Sequence, residues 1–463
     1  MSIWSWLAPR VVPPLYERLT GRRPWTEMLR LRALQWRTPE ELEARALRKL
    51  RPLLTHARAH VPYYRDHFEQ AGLEPGDIRT VADLARLPLI GKADLRANFP
   101  ARVVADNLPG RRRGTGSTAG STGLPFWFFT DRAGADVWIG SYLFFREWAG
   151  AALGDAIVYI PRPAHATMEE VRAARLRDLG RRILFGEQTL HLSDFEPDAD
   201  ELRSRLSRLP RGLPYFVWGF PSYIARLAAQ LLETGTELRS YPKVVITYAE
   251  TLSMLNAASI ARAFRCQVVN HYSSWEVRHL AQTCPDNPDV LHVNSERAIL
   301  RVVRLDGSPA AVGEAGRVVI TDLANYVMPF INYDIGDWAV AGPPCPCGRG
   351  LPSLLGIEGR LGEVIRTPAG RTILPIALCR FLNIAARAHP YIWEYQAVQV
   401  APDRVIISIV PTSRFTPHFC RELEAALTQF MGPGMEVRLE PVARIAKEPS
   451  GKRLLVKSNL DRA

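Results

Sequence analysis

Long apolar runs are absent from this sequence. No stretch reaches the about 18 consecutive apolar residues that a membrane-spanning helix needs, so no membrane span is expected. The N-terminal residues are apolar only in patches and show neither a cationic segment before a long apolar core nor a small-residue cleavage site, so no signal peptide is expected. Internal repeats and low-complexity tracts are also absent. With 47% hydrophobic and 23% charged residues, the chain is predicted to be a globular cytoplasmic protein.

Cysteine is scarce, with six residues in 463. A large chain with so few cysteines is not held together by disulfides, and this usage fits a reducing compartment.

The net charge of +12 would suit a nucleic-acid-binding protein if it were concentrated on one face or tail. Arginines are instead spread through the helical stretches among acidic residues. We therefore expect no nucleic-acid partner but a bias toward anionic ligands, and the nucleic-acid alternative rests on charge alone.

One short stretch, Ser117 to Pro125 (STAGSTGLP), combines hydroxylic residues with glycines. Such a loop can wrap closely around an anion, with backbone N–H groups and hydroxyls as donors. A Walker loop is excluded because no lysine lies here, and the dinucleotide pattern from Gly114 to Ala119 lacks the helix that should follow it. The stretch is predicted to hold a polyphosphate, and a flexible linker remains the alternative from the loop alone.

The pattern of apolar residues predicts the fold class. Residues 1 to about 100 read as helical, and Thr38, Pro39 and Glu41 form a helix-start signal. From about 115 to 340, short apolar runs alternate with helical stretches, which predicts α/β layers around a largely parallel sheet. A smaller α+β unit follows Gly359 to Gly362. We predict domains at 1–358, whose first 100 residues are helical, and at 359–463.

Four further segments carry charged or aromatic residues: Tyr248–Leu252, Asn270–Glu276, Asn332–Asp337 and Pro449–Lys452. Each alone is a weak signal. Together, in this order and after the hydroxyl-rich loop, they resemble the adenylate-forming superfamily. Within it, the chain is most similar to the phenylacetate-CoA ligase and CapK-like branch, through the segments Pro329–Asp337, Cys345–Gly350, Glu448–Lys452 and Val61–Arg65.

This resemblance implies a large N-terminal adenylation domain of layered sheets and helices and a small mobile C-terminal lid. It implies that a carboxylic acid reacts with ATP to give an acyl-AMP, and that CoA then displaces AMP to give a thioester. A carrier-protein thiol or an amine as acceptor, and a catalytically silent binding protein, are the alternatives. The expected partners are thus the acid, ATP and CoA or a carrier protein, and the sequence leaves a homodimer open.

The resemblance also implies roles for individual residues. Lys452 bridges the substrate carboxylate and the α-phosphate, and Glu276 binds Mg²⁺. The phosphates lie on the loop, and the nucleotide lies against residues from three of the other segments. The complete nucleotide set is Thr118, Ser121, Thr122, Gly123, Ala249, Glu250, Tyr272, Ser273, Asp337 and Arg360, with Asp337 on the ribose hydroxyls.

A structural zinc site is predicted from Cys284, His292, Cys345 and Cys347, because three thiolates and one imidazole make a closed tetrahedral set. His279 is the alternative histidine ligand. The other reading is a group of unrelated buried cysteines beside a turn. Cys266, Cys379 and Cys420 are expected to be ordinary core or surface residues.

An acyl pocket is predicted beside the helix that follows the loop, against the strand Tyr215–Gly219. Aromatic side chains there suit a flat ring, so an aryl or arylacetic acid is expected. His165 and His271 are candidates to contact a polar ring substituent. The predicted lining residues are Trp138, Ser141, Tyr142, Phe145 and Gly219.

Overall fold

The computed structural model describes residues 3–107, 113–118, 126–160, 176, 178–182, 185–192, 198–360, 364–373, 377–378, 381–382, 391–445 and 455–460. Two short 3₁₀ turns, Pro75–Asp77 and Ala82–Arg86, accompany the α-helices. The α-helices with defined bounds are Ile3–Thr20, Pro24–Leu34, Pro39–His60, Pro62–Ala71, Lys92–Ala97, Arg132–Trp148, Ala199–Ser207, Pro221–Thr234, Met254–Phe264 and Pro417–Met431.

The first hundred residues are helical, as predicted. The helix Pro39–His60 begins at Thr38, whose hydroxyl accepts from the Glu41 N–H while the Glu41 carboxylate accepts from the Thr38 N–H. This reciprocal pair satisfies two of the N–H groups that a helix start leaves unpaired. The apolar stripe of the helix, from Ala46 to Ala57, is buried in the largest hydrophobic core together with Tyr64 and Phe68.

Among the described residues, eleven strands form one sheet in the order β10-β11-β12-β13-β9-β8-β7-β6-β5-β3-β4. This sheet and its flanking helices confirm the predicted α/β class. The strands are β3 (Ala156–Ile160), β4 (Thr189–His191), β5 (Tyr215–Gly219), β6 (Val244–Tyr248), β7 (Gln267–Ser274), β8 (Arg278–Thr283), β9 (Leu291–Val293), β10 (Ala298–Val303), β11 (Ala315–Asp322), β12 (Tyr333–Ala341) and β13 (Ser353–Arg360).

The prediction of a largely parallel sheet is wrong for half of the sheet. Strands β3 to β7 pair in parallel, but every pair from β7–β8 to β10–β11 is antiparallel. The physical reason lies in the connections. Parallel neighbours need a crossover, usually a helix, whereas the chain from Ser274 to Arg360 contains no helix and β8 follows β7 after three residues.

The hydroxyl-rich stretch connects the two strands of a hairpin. Strand β1 (Arg113–Thr118) pairs antiparallel with β2 (Phe126–Asp131), and Thr118 lies opposite Phe126. Residues 119–125, which contain most of the predicted phosphate loop, lie between these paired ends and outside the described residues. Phe126 and Phe128 anchor the hairpin because both rings are buried in the largest core.

The C-terminal part has its own sheet and core. A short hairpin, β14 (Ile365–Arg366) with β15 (Thr372–Ile373), precedes four strands in the order β18-β17-β16-β19. This sheet, and the helix Pro417–Met431 that packs on it, confirm the predicted smaller α+β unit. The domain boundary stays a prediction, and β13 continues across residue 358 to Arg360. The four strands are β16 (Ile392–Ala401), β17 (Arg404–Pro411), β18 (Glu436–Pro441) and β19 (Val456–Ser458).

Membrane insertion has no candidate segment in the part of the chain that the structure describes. None of its helices combines the length and the apolar character that crossing a bilayer requires.

A close backbone contact fixes the segment Cys345–Gly350 against the N-terminal helices. The Gly350 N–H donates to the Gln35 carbonyl at 3.2 Å. A Cβ atom added at Gly350 would lie 2.0 Å from the carbonyl oxygen of Arg37, which belongs to the backbone and cannot swing away.

We therefore expect Gly350→Ala to lower the free energy of unfolding by about 1–3 kcal/mol, the usual cost of overpacking. Gly76→Ala is the matched control, because no atom lies within 4 Å of its added Cβ. Thermal unfolding followed by circular dichroism measures both variants. Equal melting temperatures for the two would contradict the contact.

Candidate active site

The turn between β7 and β8 carries Glu276, the predicted magnesium ligand. Its carboxylate is buried, at 3% exposure. The Tyr333 hydroxyl donates to Glu276 Oε1 at 3.3 Å, and Lys92 Nζ lies 3.2 Å from the same oxygen. Lys92 also lies 5.4 Å from the centre of the Phe126 ring, at the base of the β1–β2 hairpin. Glu276 thus lies close to where the hydroxyl-rich loop leaves its strands.

Tyr272 and Asp337, predicted to contact the adenine and the ribose, touch each other. The Tyr272 hydroxyl donates to Asp337 Oδ2 at 2.9 Å. Across the β12–β13 pair, Asp337 lies opposite Arg360 in the register. Tyr272 and Ser273 lie within β7 rather than after it, because the strand continues to Ser274. The segments Asn270–Glu276 and Asn332–Asp337 therefore meet through two of the residues that are predicted to bind the nucleotide.

The segment Tyr248–Leu252 is fixed in an unusual conformation. Ala249 has φ +66°, in the left-handed region that residues other than glycine rarely adopt. The Glu250 carboxylate accepts from the Ser222 N–H at 3.2 Å, at the start of the helix Pro221–Thr234. Strained residues of this kind cluster at ligand sites, which agrees with the predicted place of Ala249 and Glu250 beside the nucleotide.

A cleft separates this segment from the C-terminal sheet. The large part contributes Ser222, Glu250, Thr251, Ser253 and Asn256, and the small part contributes Trp393, Glu394, Tyr395, Ile445 and Leu455. The Trp393 Nε1–H donates to Glu233 across the two parts at 2.9 Å. Lys452 lies outside the described residues, but Ile445 and Leu455, the nearest described residues on either side of it, both line this cleft.

The loop residues Ser121, Thr122 and Gly123 also lie outside the described residues. Thr118 is the last residue of β1, and Arg360 is the last residue of β13. The predicted roles of Thr118 and Arg360 therefore rest on the backbone positions of the strands that contain them.

The four predicted zinc ligands come together from three neighbouring strands. Cys284 follows β8, His292 lies in β9, and Cys345 and Cys347 lie between β12 and β13. Their ligand atoms all lie within 4.8 Å of one another. A tetrahedral zinc ion with Zn–S bonds of about 2.3 Å keeps its sulfur ligands just under about 4 Å apart. This spacing fits a closed metal site.

Hydrogen bonds prepare two of these ligands for a metal. The His292 Nδ1–H donates to the Leu351 carbonyl at 3.2 Å, so the Nε2 lone pair faces Cys347 Sγ at 3.3 Å. Burial raises the pKa of the Cys347 thiol, but hydrogen bonds from Arg349 outweigh it and hold that pKa below its ordinary value. Burial raises the pKa of the Cys284 thiol to about 12. His279 is not part of this cluster, so His292 is the histidine that the fold places with the cysteines.

The predicted acyl-pocket residues divide between two faces of the helix Arg132–Trp148. Trp138 and Tyr142 are partly exposed and lie against the His279 ring, with centroids 6.5 and 5.8 Å away. Ser141 and Phe145 face the core: the Ser141 hydroxyl accepts from Asn294, and Phe145 packs on His271. Gly219 ends β5, where an added Cβ would lie 2.7 Å from Ile160 Cβ, so packing with β3 already requires glycine there.

Comparison with known proteins gives a consistent picture. The CapK C-terminal domain family matches residues 367–459. Protein CapK of Staphylococcus aureus is 23% identical over 385 residues, covering 82% of this chain and 81% of that protein. A phenylacetate-coenzyme A ligase of Escherichia coli is 26% identical over 315 residues, covering 64% and 67%. A crystal structure of 2-hydroxyisobutyryl-CoA ligase in the postadenylation state superposes with a TM-score of 0.72 at 19% identity, covering 92% of each chain.

The predicted resemblance is confirmed: the C-terminal part matches the CapK C-terminal domain family, and the chain is similar to CapK and to phenylacetate-coenzyme A ligases.

Sequence reasoning missed Lys92. The residue lies more than a hundred positions before Glu276, and no local pattern connects the two. A backbone bridge between Ile90 and Tyr333 brings the start of the helix Lys92–Ala97 to the carboxylate. The short apolar run Leu87–Ile90 just before Lys92 was the one available signal, because an extended segment can join a sheet edge.

Proposed function

We propose that this protein is an AMP-forming acid–CoA ligase. The substrate carboxylate attacks the α-phosphorus of ATP, an acyl–phosphate bond forms, and pyrophosphate leaves. The CoA thiol then attacks the acyl carbon, gives up its proton, and displaces AMP. The E. coli relative and the superposed protein are both acid–CoA ligases, which supports acid activation with CoA as acceptor.

The convergence of the predicted nucleotide residues carries this proposal. Tyr272 and Asp337 are 65 positions apart yet share a hydrogen bond, and Tyr333 connects the same segment to Glu276. A carboxylate beside Tyr272 can accept both ribose hydroxyls. Glu276 would hold Mg²⁺, which, when bound, neutralises phosphate charge. Lys92, 3.2 Å from Glu276, adds a cation at the foot of the loop.

Lys452 is proposed to bind between the substrate carboxylate and the α-phosphate, which are both anions. The substrate carboxylate and the α-phosphate repel each other, and an ammonium group between them screens that repulsion and stabilises charge as the bond forms. The described residues on either side of Lys452 line the cleft that faces Glu250 and Ser222, which supports its access to the nucleotide.

The acid is proposed to be an aryl or arylacetic acid. Trp138 and Tyr142 of the helix Arg132–Trp148 both lie against His279. The Tyr142 ring lies 5.5 Å from the Trp218 ring, edge to face, near the carboxyl end of the parallel strand β5. Aromatic walls of this kind suit a flat ring, and the carboxyl edge of a parallel sheet is where α/β proteins place ligands.

We expect Lys452→Ala to slow adenylation by about 10²-fold or more while ATP affinity changes only modestly. Pyrophosphate release is measured with a panel of aromatic acids, and mass spectrometry identifies the thioester when CoA is added. Lys457→Ala, a nearby lysine on β19, serves as the control. Normal turnover by Lys452→Ala would remove this residue from the mechanism, and no pyrophosphate release by the wild type with any acid would overturn the proposed function.

We also propose that Cys284, His292, Cys345 and Cys347 hold one structural zinc ion. Zinc at this site would connect β8, β9 and the β12–β13 segment next to the nucleotide residues. The spacing of the ligand atoms and the His292 Nε2 lone pair that faces Cys347 support this assignment.

Protein purified without added metal is expected to contain about one equivalent of zinc by elemental analysis. Cys347→Ser should lose most of this zinc and unfold at a lower temperature, since a structural metal contributes folding free energy. Cys420→Ser is the matched control, because Cys420 lies on the separate helix Pro417–Met431. Full zinc content in Cys347→Ser, or its absence from gently handled wild type, would contradict the site.

A further inference from the structure

Two histidines of the central hairpin form a buried pair beside the predicted acyl pocket. His271 lies in β7 and His279 in β8, and the two rings meet with His271 Nε2 2.5 Å from His279 Nδ1. His271 Nδ1 lies 2.9 Å from Gln282 Oε1, and Gln282 Nε2 lies 2.7 Å from the carbonyl oxygen of Phe145. A continuous chain of hydrogen bonds therefore runs from the helix Arg132–Trp148 to His279.

A bulge in the hairpin makes this chain possible. Tyr272 lies opposite Ala281, but Ser273 lies opposite His279, so Leu280 is an extra residue in β8. In a regular strand, side chains three positions apart point to opposite faces. Because Leu280 is an extra residue, the side chains of His279 and Gln282 point to the same face of the sheet, and both reach His271.

The direction of each hydrogen bond follows from the chain's fixed end. The Phe145 carbonyl can only accept, so Gln282 Nε2 donates to it and Gln282 Oε1 faces His271. His271 Nδ1 must then carry the proton. A neutral His271 that is protonated at Nδ1 accepts a hydrogen bond at Nε2. His279 Nδ1 must therefore carry a proton and donate it to this bond.

Burial keeps both rings neutral. Burial lowers the pKa of His271 to about 4. Burial, together with the neighbouring His271, Arg278 and Arg297, lowers the pKa of His279 well below its ordinary value. A neutral His279 protonated at Nδ1 has a bare lone pair at Nε2.

That lone pair has no protein partner. His279 Nε2 is buried and without a hydrogen bond, in a side chain that is only 8% exposed. Buried polar atoms are nearly always paired, because leaving one unpaired costs free energy. The rings around His279 are Trp138, stacked at 8° between ring planes, and Tyr142, and neither fills this role. A missing partner beside an aromatic pocket points to a ligand.

We propose that His279 Nε2 accepts a hydrogen bond from a hydroxyl group on the acyl part of the substrate, so that the acid is an aryl or arylacetic acid with such a donor. This inference rests on the proposed function. His271 cannot play this part, since both of its nitrogens are already paired. The substrate carboxylate cannot lie here either, because a lone pair repels it, so the donor belongs to the distant end of the acid.

The test compares matched acids on the wild-type protein with ATP and Mg²⁺. Pyrophosphate release is measured for phenylacetic acid, its three ring-hydroxylated isomers and the three corresponding methoxy acids, and for benzoic acid with the same substituents. Because a methoxy group can accept but not donate, the hydroxy–methoxy pair isolates the direction of the hydrogen bond. We expect at least one hydroxy acid to exceed both its methoxy and its unsubstituted counterpart by about tenfold or more in kcat/KM.

His279→Phe removes the acceptor and keeps a ring, so the ratio between the hydroxy and unsubstituted acids should fall to within about twofold. His67→Phe is the control and should keep the wild-type ratio, since His67 lies in the helix Pro62–Ala71 and contacts Tyr63. The inference is overturned if the wild type prefers the unsubstituted or methoxy acids, or if His279→Phe keeps the preference.

The wild-type comparison decides the matter even if His279→Phe does not fold. Turnover without a hydroxyl preference would refute the inference and leave the ligase assignment intact. No turnover of any acid would refute the proposed function, and this inference with it.

Discussion

The pairing of β7 with β8 is the constraint on which the rest of the site depends. β7 is the last parallel strand, and the three-residue turn after it reverses the chain in the middle of the sheet. Because successive side chains of a strand point to opposite faces, His271 and Tyr272 serve different environments. Tyr272 reaches Asp337 on the nucleotide side, and His271 packs against Phe145 and Trp218. The turn itself holds Glu276.

The same hairpin determines where the metal-ligand cluster can form. β8 ends at Thr283, which places Cys284 beside β9 and its His292. β13 then pairs with β9 on the other side and brings in the segment that contains Cys345 and Cys347. A shift of one residue in this register would turn His292 to the opposite face and dismantle the cluster. The Cys345–Gly350 segment is fixed from outside as well, by the contact of Gly350 with Gln35 and Arg37.

Local signals in the sequence predicted the regular elements well. The helix Pro221–Thr234 and the strand Ala156–Ile160 belong to the alternation predicted from about 115 to 340, and Thr38 caps its helix as the motif predicts. Features set by long-range pairing were not accessible in the same way. The antiparallel half of the sheet follows from connection lengths that single runs do not reveal, and Lys92 reaches Glu276 only through the Ile90–Tyr333 bridge. The bulge at Leu280 has no signature in residue types, so the orientation of His279 could be read only from the strand register.

The electrostatic character of the site changes along the proposed path of the acid. Near the nucleotide, Lys92 lies beside Glu276, and the cleft facing Glu250 is bordered by the residues that flank Lys452. These cations favour the end of the acid that carries negative charge. At His279 the neutral ring offers only a lone pair, so the same carboxylate is repelled there. In the proposed complex, one polarity at each end would give the acid a single favourable orientation, with its carboxylate toward the phosphate and its distant end toward His279. Orientation of this kind contributes to rate directly, since a reactant held in line with the α-phosphorus no longer loses that freedom in the transition state.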